Sequence, residues 1–301
     1  MAVELTAPPP EQTRALYPDE SGHVERDGVE LYWEVYGSRE PTVLLLPTWS
    51  IIHSRHWKMQ IPYLARHCRV LTFDGRGNGR SDRPAEPDAY HEREFAADAL
   101  AVMDATRTER AVLVSLSLGA QRALLLAGAH AERVDGAVFI CPAVPLGEPL
   151  PERTRYSWEE ELDTDEGWAK YNRWYWLRDY PGFLEFFFSR MFTEAHSTKP
   201  IEDCVGWGLE TTPETLVATQ NGILDAGHIR ELCRQARCPV LVIQGTDDAI
   251  TPSGRGVALA EETGGELVLL EGSGHGPHVR DPVHVNLLLR EFLASLPGRP
   301  T

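Results

Sequence analysis

Short apolar runs alternate with helical patterns along most of the chain. Residues 42–46, 69–73, 111–114, 136–141, 239–243 and 266–270 are each brief and mainly apolar, with no polar alternation. Runs that are apolar on both faces predict parallel strands covered by helices on either side. Val29-Glu-Leu-Tyr-Trp-Glu-Val-Tyr36 differs, because apolar and polar positions alternate in it. That pattern predicts a half-exposed antiparallel strand. Helical periodicity falls at about 90–107, 118–130, 253–263 and 281–295. The alternation of strand and helix predicts a doubly wound, mostly parallel α/β sheet. Ligand chemistry in such a sheet gathers at the carboxyl ends of the strands.

The alternation stops near Leu146 and resumes near Pro239. The intervening stretch is helical, acidic at first and then crowded with rings, including Trp168, Tyr171, Trp174, Trp176, Phe183 and Phe187. We expect an inserted helical cap over residues 146–232, a core over 21–145 and 233–301, and a Pro-rich N-terminal arm over 1–20. Most of the cap rings are expected to pack helices onto the core, since Phe183 and Phe187 stand four apart as a helix stripe requires. The remainder offer flat walls for an aromatic or polycyclic substrate.

The net charge of −16 argues against nucleic acid and anionic membrane surfaces as partners. The five cysteines are scattered and odd in number, which does not suggest a disulfide framework, and Cys141 is expected to be a buried thiol. The N-terminus lacks a basic region followed by an apolar run, and no apolar stretch is long enough to span a bilayer. Together these features predict a soluble protein of a reducing cytoplasm.

Three segments carry candidate chemistry. Ala111-Val-Leu-Val-Ser115-Leu-Ser117-Leu-Gly119 reads as strand, sharp turn and helix start. A turn that exposes a serine above a sheet needs small residues two before and two after it. Ser117 meets that demand with Ser115 and Gly119, and only Ser117 has a glycine two positions later. Asp247 and Asp248 follow the apolar run at 239–243, and either can serve as the acid. His275, between Gly274 and Gly276, suits a flexible loop bringing an imidazole inward, with His278 as its rival. Serine, acid and histidine in that order are the parts of a nucleophile-elbow triad. The imidazole takes the serine proton and the carboxylate holds the imidazole in the right tautomer. An oxyanion also needs donors, expected from the backbone N–H groups of Leu118 and Trp49. The indole of Trp49 can form a pocket wall. The pairs His275/His278 and His53/His56 lack a third metal ligand, so no metal and no cofactor is expected.

These residues resemble the α/β-hydrolase superfamily over nearly the whole chain outside the arm. Asp74-Gly-Arg76-Gly77-Asn-Gly79-Arg-Ser81 is similar to the family's Asp-x-Arg-Gly-x-Gly-x-Ser loop, a structural turn. Gly245-Thr-Asp-Asp248-Ala-Ile-Thr-Pro252 is similar to its acid loop, whose register implies Asp248. Gly274-His275-Gly-Pro277-His278 resembles its histidine loop and implies His275. The family usually has His-Gly where this chain has Pro47-Thr48, so the oxyanion turn differs in backbone and gains a hydroxyl. Ser115 stands where glycine is common.

The expected function is therefore a serine hydrolase of a carboxylic ester, lactone or related small acyl compound, acting through an acyl-enzyme on Ser117. The same triad also serves C–C hydrolysis of a diketone or acyl transfer. An aminopeptidase, using acidic residues of the run 159–166, and a non-catalytic binding protein on the same fold are the other readings.

Overall fold

Eight strands form one sheet in the computed structural model, which describes residues 15–297. They are β1 (Glu20–Arg26), β2 (Val29–Tyr36), β3 (Thr42–Leu45), β4 (Arg69–Phe73), β5 (Ala111–Leu116), β6 (Val134–Ile140), β7 (Val240–Gly245) and β8 (Glu266–Leu270). Their spatial order is β1-β2-β4-β3-β5-β6-β7-β8. The pairs β1–β2 and β2–β4 are antiparallel and all others are parallel. Every strand expected from the apolar pattern is present. The reversal of order at β4-β3-β5 creates a switch point, beside which the turns after β3 and β5 meet.

Strand β1 was not expected, since its polar sequence shows no apolar face. It is an edge strand joined to β2 by Asp27-Gly28, both with positive φ (51° and 78°), the backbone of a tight hairpin turn. That Asp-Gly pair was the available signal. The expected arm at 1–20 lies mostly outside the described residues. Strand β2 is more buried than its alternation implied, because the polar position Glu34 is itself buried, accepting hydrogen bonds from Tyr32 Oη (2.9 Å) and Tyr36 Oη (2.7 Å). Strand β8, at the opposite edge, is not covered on both faces as expected; Leu269 is exposed.

Three helices accompany the first half of the sheet: α1 (Ile61–Leu64), α2 (Glu92–Ala105) and α3 (Gly119–Ala129). Six lie between β6 and β7: α4 (Pro151–Thr154), α5 (Arg173–Arg178), α6 (Tyr180–Met191), α7 (Thr198–Gly208), α8 (Pro213–Ala218) and α9 (Ala226–Gln235). Three follow: α10 (Ser253–Thr263), α11 (Pro277–Arg280) and α12 (Pro282–Ser295). The inserted helices start where their sequences dictate. Asn172, Asp179, Thr212 and Asp225 each accept a hydrogen bond from a backbone N–H of the helix they precede. Helix α9 lies across the expected boundary at 233 and packs Ile229 and Leu232 into the same cluster as Leu124 of α3.

Side chains alternate across each strand, so the sheet divides two apolar clusters. Leu44, Leu113, Phe139 and Val242 pack with residues of α2, α3, α9 and α10. Val43, Val112, Val138 and Leu241 face the other side, toward α1 and α12. The second cluster continues through Trp49 into Trp176, Phe183 and Phe188 of the insertion. Among the described residues the five cysteines are unpaired, with Cys141 buried as expected. No described helix is long and apolar enough to cross a membrane.

Candidate active site

Ser117 sits immediately after β5 with φ +53°, a left-handed conformation that costs a non-glycine residue energy. The surroundings hold it there. Its N–H donates to Ile140 O (3.0 Å), and its carbonyl accepts from Ala143 N (2.9 Å) and Ala120 N (3.1 Å). Gly119 is required sterically: a Cβ there would lie 2.8 Å from Pro47 O. Ser115 is fully buried, and its hydroxyl donates to Val138 O (3.0 Å) on the neighbouring strand. The extra polar group beside the elbow is therefore satisfied within the sheet.

Asp248 and His275 meet at the ends of β7 and β8. Nδ1 of His275 lies 2.7 Å from Asp248 Oδ2, and both residues are buried. Asp248 also accepts from the N–H groups of Ile250 and Thr251 (both 2.8 Å), from Thr251 Oγ1 (2.8 Å) and from Gln244 Nε2 (3.2 Å). Burial pushes its pKa up, but the His275 charge and these hydrogen bonds outweigh burial and hold it below the usual carboxylate value. Asp247 is exposed, and among the described residues its carboxylate meets only the neighbouring Thr246 hydroxyl (3.3 Å).

The rival histidine is placed differently. Nε2 of His278 lies 3.2 Å from Nδ1 of His56, and both rings are fully buried. Burial, then the charge of His275, lowers His278 to about 3. His53 instead faces Asp74 and Glu210. Among the described residues, the one group able to present three metal-ligating atoms together is Cys141, Asp248 and His275. Two of its members are already joined by the 2.7 Å hydrogen bond.

The glycines beside His275 serve close packing, not the flexibility expected of them. A Cβ on Gly274 would lie 2.7 Å from Thr193 Oγ1, and one on Gly276 2.4 Å from Phe192 Cε1. The loop is tied to the end of α6, with His275 N donating to Met191 O (2.9 Å) and Gly274 N to Glu194 Oε1 (2.9 Å). Gly245 lets the acid strand approach, since a Cβ there would lie 2.3 Å from Ser273 O.

Ser117, Leu118, Trp49 and Thr251 line one cavity of about 380 Å³ beneath the insertion. Trp158, Tyr171 and Phe187 supply aromatic walls. Trp49 spans cavity and insertion: its indole N–H donates to Thr219 Oγ1 (2.7 Å) and its ring meets Phe187 edge-on at 5.3 Å. The Ser117 hydroxyl makes no hydrogen bond to His275 among the described residues; such contacts often tighten only with substrate bound. A larger groove of about 950 Å³ lies at the amino ends of the strands, near Pro41, Val134 and Pro239. It contains no candidate site residue, and the carboxyl ends are where this sheet type does its chemistry.

A family model for the alpha/beta hydrolase fold matches residues 41–282. The chain belongs to that family. Among its hydrolase relatives, the bifunctional esterase/perhydrolase DCH of Acinetobacter calcoaceticus is 25% identical over 277 residues, covering 90% of this chain and 98% of the relative. Of solved structures, the N-acyl homoserine lactone degrading enzyme Est816 is 27% identical with a TM-score of 0.75, covering 90% of this chain and all of that one. The enol-lactonase of Burkholderia xenovorans LB400 is 25% identical with a TM-score of 0.74, covering 91% and 100%.

In this hydrolase-family chain the turn at Pro47-Thr48-Trp49 has a support that the sequence reading missed. Arg122 of α3 is buried, and its Nη1 donates to Pro47 O (3.0 Å) and Thr48 O (2.6 Å). Thr48 O and Trp49 N share a peptide plane, so anchoring the carbonyl fixes the N–H on the opposite side. Glu92 balances the guanidinium through Nε (2.8 Å) and Nη2 (3.3 Å), and Phe95 stacks on it at 3.6 Å. From below, Asn78 of the Asp74–Ser81 loop donates to Ser50 O (2.9 Å), while Ser50 Oγ donates to Arg76 O (3.0 Å). The main-chain N–H groups of Trp49 and Leu118 donate to no protein acceptor among the described residues. The Thr48 hydroxyl is buried without a hydrogen-bond partner among the described residues. The available signal for Arg122 was a lone charge in the small apolar run Gly119-Ala-Gln-Arg122-Ala-Leu-Leu-Leu.

Proposed function

We propose that this chain is a serine hydrolase that cleaves a carboxylic ester, lactone or related acyl compound through an acyl-enzyme on Ser117. The observation that carries this reading is the 2.7 Å pairing of buried Asp248 with His275 Nδ1, which leaves Nε2 as the basic nitrogen. In this reading Ser117 Oγ attacks the carbonyl as His275 Nε2 removes its proton. The tetrahedral oxyanion is held by the N–H groups of Leu118 and Trp49. His275 then protonates the leaving alcohol, and water, deprotonated by His275, releases the acid. The helices of residues 146–232 act as a cap that walls the acyl group with rings. The similarity to an esterase/perhydrolase, an N-acyl homoserine lactone degrading enzyme and an enol-lactonase supports an acyl substrate. The unpaired cysteines suit a reducing compartment and support a cytoplasmic location.

The test is a fluorophosphonate probe followed by peptide mass spectrometry, beside turnover of 4-nitrophenyl butyrate. We expect labelling at Ser117 and loss of both labelling and turnover in Ser117→Ala with an unchanged circular dichroism spectrum. Wild-type rates in Ser117→Ala would remove the serine from the mechanism. Unlabelled protein that still binds an acyl ligand tightly would favour a binding protein on the same fold. The aminopeptidase reading gains no support from the cavity, whose lining contains no carboxylate among the described residues.

A further inference from the structure

Two arginines line the cavity that holds Ser117, and neither meets a carboxylate among the described residues. Arg153 is the third residue of α4, and Arg255 the third residue of α10, seven positions beyond Asp248. The chain brings them to one rim because the loop before α4 rests on the start of α10. A Cβ built on Gly147 would lie 3.7 Å from Gly254 O and 4.0 Å from Arg255 N.

Carboxylates are plentiful in this chain, yet none pairs with either rim arginine among the described residues. Acidic residues outnumber basic ones 45 to 29, and Arg26, Arg76, Arg122 and Arg133 each engage a carboxylate. At the rim, Nε of Arg255 is buried with no hydrogen-bond partner among the described residues. Arg153 lies over the Tyr171 ring at 4.1 Å, a contact that leaves its N–H fork free to bind. Burial and the neighbouring Arg153 charge both lower the pKa of Arg255, with Asp248 opposing. Like charges held together beside a buried unpaired donor cost stability. An anion between them would relieve both costs, and guanidinium forks match carboxylate and phosphate oxygens.

We propose that Arg153 and Arg255 form a subsite for an anionic group on the substrate, so that the acyl compound carries a carboxylate or phosphate remote from the carbonyl that Ser117 attacks. This deepens the serine hydrolase reading and rests on it for the position of the scissile bond. The rings of Trp158, Tyr171 and Phe187 line the same cavity and would contact the apolar part. The same feature disfavours a substrate with a free amine.

The test compares the 4-nitrophenyl half-ester of glutarate with 4-nitrophenyl valerate, which matches it in chain length. The wild-type protein should prefer the charged ester. In Arg255→Met, Arg153→Met and the double variant, the ratio of kcat/KM for charged over neutral ester should fall about tenfold or more, carried by KM. Arg255→Lys should restore part of the ratio. An unchanged ratio, or an equal fall for both esters, would overturn the proposal. Calorimetric titration with glutarate, butyrate and inorganic phosphate separates the two readings without catalysis. Arginine-dependent glutarate or phosphate binding to protein that the fluorophosphonate does not label would keep the subsite and end the hydrolase reading. Labelled Ser117 with no arginine-dependent anion binding would do the reverse. The tighter of glutarate and phosphate assigns the group.

Discussion

The Asp248 carboxylate is the most heavily bonded group at the site, accepting from two backbone N–H groups, a hydroxyl, an amide and an imidazole. Such a carboxylate stays ionised and orients its partner. Asp248→Asn should therefore keep the fold yet reverse the preferred tautomer of His275, lowering kcat by about 10³- to 10⁴-fold. Asp247→Asn, at an exposed position, should stay within a few-fold of wild type. Steady-state kinetics with an aryl ester checks both, and the opposite outcome would move the acid role to Asp247. Residue types and spacing in the loop 245–252 left both carboxylates open, and the family register implied Asp248. Burial of one carboxylate and exposure of the other arise only when the loop closes against the chain at 273–275.

Helix α3 does more than present its amino end to Ser117. Its Arg122 reaches across to the turn after β3 and anchors the carbonyls of Pro47 and Thr48. Burial raises the pKa of Glu92, opposed by the Arg122 charge, so the two groups depend on one another. Arg122→Met alone would strand a buried carboxylate and should cost about 3–5 kcal/mol. The double variant Arg122→Met/Glu92→Met should recover most of that stability in urea unfolding. It should still lose about tenfold in kcat with KM little changed, because the freed turn no longer fixes the Trp49 N–H. Full kcat in the double variant would make Arg122 a purely structural residue. Element positions were legible from periodicity, whereas this bridge joins residues 75 apart in sequence, beyond the reach of any local pattern.

Acid should destabilise the whole molecule through groups that fold in an unprotonated form. His278, against His56, is lowered from 6.5 to about 3 by burial and then by the charge of His275. The unfolded chain takes up this proton below about pH 6.5 while the folded chain does not until about pH 3, so stability falls with pH across that window. His56, lowered by burial and then by His278, adds in the same direction. Asp248, lowered on balance, adds a further loss below the usual carboxylate value. Urea unfolding between about pH 4 and 7 should show this slope, and His278→Asn should make it shallower by up to about one proton. An unchanged slope would mean that the His56–His278 pair contributes nothing to acid sensitivity. One apolar cluster runs from the sheet through Trp49 into the insertion, and the loop bearing His275 is tied to the end of α6. The insertion and the body are therefore continuous in packing.

Strand and helix positions, the elbow around Ser117 and the ring-rich insertion could all be read along the chain, because periodicity, small residues at a tight turn and local caps are short-range properties. Edge strand β1 escaped because its pairing, not its composition, makes it a strand. The pairing of Asp248 with His275, the anchoring of the 47–49 turn by Arg122 and the convergence of Arg153 with Arg255 on one cavity all join residues distant in sequence. Such contacts follow from how the sheet and its crossovers bring strand ends together, and no periodicity or spacing records them.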